Sequence, residues 1–119
     1  MRYFKNMSAW KIEDVNEKNH AEARKYLEEH FATSMFLLGN LLQYGSKLTL
    51  DPNSGNYKVL LQSNQVKGVF CMTRRGNLLL CIDPSFNNFE LLWSEVKKDS
   101  LEFKGVLGDW SMVDPFWGY

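Results

Sequence analysis

The chain has 119 residues, 45% of them apolar and 24% charged, the composition of one soluble globular domain (residues 1–119) that buries a core without metal or disulfide help. Fourteen basic side chains balance fourteen acidic ones, so the basic excess that a nucleic-acid or anionic-membrane surface needs is absent, and neither partner is expected.

The N-terminal Met-Arg-Tyr-Phe-Lys-Asn-Met has neither the apolar core nor the cleavage site of a secretory signal. No run reaches the ~20 apolar residues of a membrane span. A cytoplasmic location is therefore expected. Ser8 to Glu13 alternates, Trp10 and Ile12 to one side and Lys11 and Glu13 to the other, which predicts a short edge strand broken at Asp14-Val15-Asn16. From Glu17 an amphipathic helix is predicted, with Ala23, Tyr26, Leu27 and Phe31 on its apolar stripe. His20 and His30 fall on its wet side and suggest no catalysis.

Thr33-Ser34 is predicted to cap a second helix, which Gly45 ends as a C-cap. Met35, Phe36, Leu37, Leu38, Leu41, Leu42 and Tyr44 cover most of that helix's circumference, so burial on several sides is expected. Gly39-Asn40 within it is read as a close helix–helix approach. Asp51 to Asn56 is a turn. Three strands follow, at Tyr57–Gln62, Val66–Thr73 and Leu78–Ile82. Short turns join them at Ser63-Asn64-Gln65 and at Arg74 to Asn77, so they form an antiparallel meander. Their apolar residues are consecutive, which suits strands covered on both faces. Cys71 and Cys81 read as small buried hydrophobes, and Arg74-Arg75 as a solvated loop tip.

Pro84 stops the third strand, and Ser85 or Asn87 is expected to cap a helix with Phe89, Leu92, Trp93 and Val96 on one stripe. Lys97 and Lys98 suit the dipole of its last turn. Phe103 to Leu107 is a further strand, and Asp109 is placed to cap a helical turn near Trp110. Ser111 and Asp114 have no histidine nearby, so a hydrolase triad has no support. Six of the seventeen aromatic residues occupy the ends, at Tyr3, Phe4, Trp10, Phe116, Trp117 and Tyr119. Ends of this kind pack on the domain's own core or on a second chain.

This α/β (α+β) order of strand, helix, helix, three-stranded antiparallel meander, helix, strand resembles the GNAT superfamily of acyl-CoA-dependent N-acyltransferases. Trp10-Lys11-Ile12, Leu27, Phe36 to Leu41, Tyr44-Gly45 and Val66 to Phe70 look like the first half of bacterial proteins built from two such units in tandem. The resemblance implies a sheet truncated after its fifth strand. In the family, Gln/Arg-x-x-Gly-x-Gly/Ala joins the third meander strand to the next helix, and its N–H groups bind the acyl-CoA pyrophosphate. Here that junction reads Ile82-Asp83-Pro84-Ser85-Phe86-Asn87-Asn88. It has no glycine, a proline lacking its N–H, and an aspartate whose charge opposes a phosphate.

The expectation is therefore a non-catalytic N-terminal unit that shapes a substrate pocket or an interface, with no cofactor of its own. The alternative is an active N-acetyltransferase in which Leu80, Cys81 and Ile82 hold the pantetheine of acetyl-CoA and Asn87 and Asn88 supply the helix N-terminus. Glu13, Glu90 or a water would then be the general base. A third reading is a structural α/β module that forms a homodimer. Expected partners are a second GNAT unit, or a second copy pairing through the sheet edge at Phe103–Leu107.

Overall fold

Consecutive apolar residues build the middle of a sheet in this chain, as the computed structural model shows for residues 10–98 and 105–108. The strands are β1 (Trp10–Asp14), β2 (Gly55–Gln62), β3 (Gln65–Thr73), β4 (Asn77–Ile82) and β5 (Gly105–Gly108), in the spatial order β1-β2-β3-β4-β5. The first four are antiparallel, and β5 runs parallel to β4 with Asn77 opposite Gly105 and Leu80 opposite Gly108. A helical crossover is what a parallel pair requires, and α3 (Phe89–Lys98) supplies it. The other two helices are α1 (His20–Glu29) and α2 (Phe31–Tyr44). The described residues thus form a mixed α/β fold with three helices. None of its described helices is long and apolar enough to cross a membrane.

Both faces of β2, β3 and β4 are covered. Tyr57, Val59, Leu61, Val69, Cys71, Leu79 and Cys81 pack with Ala23, Tyr26, Leu27, Leu37, Leu38 and Leu41 of α1 and α2. Alternate residues Leu60, Phe70, Met72, Leu78, Leu80 and Ile82 pack with Leu92 and Val96 of α3, and half-buried Trp10, Ile12, Phe89 and Trp93 border that cluster. α1 lies against β3, and α2 against β4. Two tyrosine hydroxyls tie helices to the sheet side of the molecule: Tyr57 donates to the Leu37 carbonyl (2.5 Å) and Tyr26 to the Lys67 carbonyl (3.2 Å). Burial pushes both phenols well above their ordinary range.

The turns follow local chemistry. Ser63 and Asn64 both have positive φ (53° and 62°), the conformation that a two-residue hairpin between right-twisted strands requires. Gly55 is held by contact: an added Cβ would stand 2.3 Å from Cys71 Sγ and 2.4 Å from the Met72 carbonyl oxygen. Lys58, buried on the α3 face, reaches Asp14 at the edge of β1. That hydrogen bond is the main reason the Asp14 carboxyl is held below its usual range.

Several expectations need correction. β1 extends through Asp14, which pairs with Lys58, and the chain leaves the sheet only after it. Phe31 belongs to α2 and is exposed, because the first helix ends at Glu29. Ser34 does not cap α2. It lies inside the helix, buried, and its hydroxyl donates to the Leu27 carbonyl at 2.6 Å. Among the described residues α2 is buried along one side only, and Met35, Phe36 and Leu42 are exposed. Among the described residues Gly39 approaches no other element: an added Cβ would meet nothing within 4 Å. Gly45 does end α2 with φ of +82°, its N–H donating to the Leu41 carbonyl. The cap of α3 is Asn88, not Ser85 or Asn87, since Asn88 Oδ1 accepts the Leu91 N–H at 3.2 Å. The expectations for Tyr3, Phe4, Phe103, Asp109, Trp110, Ser111, Asp114, Phe116, Trp117 and Tyr119 lie outside the described residues.

Candidate functional site

The junction from β4 to α3 is where the family resemblance places chemistry, and its geometry is set by Asp83 and Phe86. The Asp83 N–H donates to the Lys67 carbonyl at 2.8 Å, which prolongs the β3–β4 ladder by one bond. The same carbonyl accepts the Tyr26 hydroxyl, so α1, β3 and the junction meet at one oxygen. Asp83 then turns the chain upon itself. Its carboxylate accepts the Ser85 N–H at 2.9 Å and its carbonyl accepts the Phe86 N–H at 3.0 Å. The hydrogen bonds from Ser85, backbone first, hold the Asp83 carboxyl below its usual range, and Lys67 adds to the effect.

Phe86 closes the turn from inside. It is 2% exposed, with its ring edge-to-face on Trp10 (5.1 Å between centroids) and on Phe89 (5.8 Å). A connection that could have lined a cleft is folded into the α3-side core. Asn88 accepts two N–H groups of the first turns of α3: its side chain takes that of Leu91, and its carbonyl that of Leu92 at 3.3 Å.

Of the five residues singled out in the sequence, Leu80, Cys81 and Ile82 are buried in β4, opposite Phe70, Val69 and Gly68 of β3. Leu80 and Ile82 face the α3-side core, and Cys81 faces the α1/α2 core. The β4–β5 register ends at Leu80, so Cys81 and Ile82 lie beyond the last described pair. Asn87 and Asn88 are exposed at the start of α3. Glu90, in the first turn of α3, is close to them in the chain. Glu13 is on β1, three strand spacings from β4, about 14 Å, and pairs with Lys11 at 3.0 Å. The structure gathers Asn87, Asn88 and Glu90 at one end of β4 and leaves Glu13 at the opposite edge.

His30 sits between α1 and α2, its ring stacked on Tyr26 (4.1 Å) and its Nδ1 2.7 Å from the Tyr26 carbonyl. Two contributors escaped the sequence reading. Phe86 gave one signal, as the lone aromatic in a polar turn. Lys58 gave another, as the one charge inside β2. Among the described residues, no group of three or more His, Cys, Asp or Glu side chains is placed to hold a metal ion. Comparison with protein-family models, with curated proteins and with solved structures finds no match.

Proposed function

We propose that this chain is a GNAT-like unit of the cytoplasm that does not itself bind acyl-CoA, and that it shapes a substrate pocket or an interface beside a second unit that does. The order of elements supports the family reading. The observation that carries the non-catalytic part is the β4–α3 turn, where the Ser85 and Phe86 N–H groups are taken by Asp83 and Phe86 is in the core. A diphosphate needs free N–H groups in a concave turn without opposing charge. This turn offers Pro84, which has none, and an ionised Asp83.

β5 supports the placement of the partner. It stands at one end of the sheet, paired on one side to β4, and no described strand covers its other side. A strand from a second unit or a second copy would continue the sheet there. Isothermal titration with acetyl-CoA tests the proposal. No heat of binding from this chain, with binding by a complex containing its partner unit, is the expected result. Micromolar binding by this chain alone would refute it and leave the active N-acetyltransferase as the better reading.

A further inference from the structure

α2 carries an apolar stripe that the described residues leave uncovered. Phe31, Met35, Gly39 and Leu42 follow one another at i, i+4, i+8 and i+11, on one line of the helix. Phe31, Met35 and Leu42 are 54%, 50% and 56% exposed, and Phe36 beside them is 62% exposed. Gly39, with open space around an added Cβ, leaves a notch at the middle of the line. No charged side chain occurs between Phe31 and Tyr44. The four exposed side chains present roughly 400 Å² of apolar surface, the size of the largest patch on a typical monomer, which is often functional.

We infer that this stripe is the seat of residues 109–119 of the same chain, which lie outside the described residues. Place is the first reason. β5 ends at Gly108 opposite Leu80 of β4, and β4 is the strand on which α2 packs. Reach is the second. Eleven residues follow Gly108 and span up to about 36 Å when extended, whereas the stripe from Phe31 to Leu42 is about 16 Å long.

Chemistry is the third reason. Trp110, Met112, Val113, Phe116, Trp117 and Tyr119 make the segment mostly apolar, and its large rings suit an uncharged face with a notch at Gly39. Area separates this occupant from a second copy. A stable dimer buries about 800 Å² per partner, twice what the stripe offers, while a segment tethered nearby needs far less contact because its effective concentration is high. Residues 1–9 are less well placed. They join the sheet at Trp10 on β1, at the opposite edge from β5, with α1 on β3 between.

Photo-crosslinking of the full chain tests the inference. p-Benzoylphenylalanine is placed at Leu42, and in a control at exposed Glu22 of α1, and the irradiated protein is separated by size and mapped by mass spectrometry. The expected result is crosslinks from Leu42 to residues 109–119 within the monomer band, several-fold above the control. Met35→Asp should cut that yield several-fold with the circular dichroism spectrum unchanged. Crosslinks confined to a dimer band would give the stripe to a second copy and overturn the inference. Crosslinks to residues 1–9, a yield no higher than the control's, or a yield untouched by Met35→Asp would overturn it too.

Discussion

Replacing Phe86 with alanine asks whether the β4–α3 turn is a wall or a site. The ring is 2% exposed and touches Trp10 and Phe89 edge-on. Deleting a buried phenylalanine ring costs about 3–5 kcal/mol through lost transfer energy and the cavity left behind. The two aromatic contacts contribute within that figure, at about 0.5–1.5 kcal/mol each. Trp10 and Phe89 are half-buried and free to lean into the space, which favours the lower half, about 3–4 kcal/mol. For a chain of this length that is a fall in Tm of about 10–15 °C. Urea denaturation should show a lower midpoint with an unchanged m value, and Leu50→Ala, at an exposed position, should stay within about 0.5 kcal/mol of the parent. A loss below about 1 kcal/mol for Phe86→Ala at constant m would mean that the ring does not hold the turn. The cost that Phe86 sets against opening the turn at Asp83–Asn88 would then be absent, leaving only Asp83 and Pro84 to oppose a phosphate there.

Gly55→Ala drives a Cβ into Cys71 Sγ and the Met72 carbonyl and should cost about 1–3 kcal/mol, read by chemical denaturation. Ser34→Ala removes a buried donor from the Leu27 carbonyl and should lose about 1 kcal/mol by the same assay. The Asp14 carboxyl is held below its unfolded value chiefly by the Lys58 hydrogen bond. Its contribution is therefore complete above the unfolded carboxylate pKa of about 4 and is lost as pH falls through the lower folded value. Asp14→Asn should accordingly be less stable than the parent at pH 7, with the gap narrowing below pH ~4. A gap independent of pH in acid denaturation would show that the pair's charge contributes nothing.

The sheet was legible because its signals are local and redundant. Runs such as Val59-Leu60-Leu61 leave no side chain facing water, and Ser63-Asn64 leaves room for only one kind of reversal. The helix boundary was not legible. Phe31 stands four residues after Leu27 and continues its stripe, yet the chain breaks at His30, whose ring lies on Tyr26 and whose N–H bonds the Leu27 carbonyl. A period cannot report such a contact. The apolar surplus of α2 predicted burial, but composition does not say whether the cover comes from the described elements. Phe86 belongs to no period at all, and Lys58 meets Asp14 across forty-four positions of sequence. The candidate junction could be located from the order of elements, while the direction in which its donors point depends on packing that only the folded chain reveals.

The cost of Phe86 also bears on what the junction can bind. A diphosphate seated on the Ser85 and Phe86 N–H groups must first take them from Asp83, and opening that turn draws the Phe86 ring out of the core. If the ring's burial is worth about 3–4 kcal/mol, opening lowers the apparent affinity by several hundred-fold, since each 1.4 kcal/mol is tenfold. Micromolar binding would then require about nanomolar contact with the opened state, from a loop that also carries an ionised carboxylate and a proline. Three residues therefore act together: Asp83 consumes the donors, Pro84 lacks one, and Phe86 makes release of the turn costly. Replacing any single one leaves the other two opposing the phosphate. Acyl-CoA binding should accordingly fail to appear in Phe86→Gly alone, and should need a glycine-rich turn in place of the whole of Asp83–Asn88.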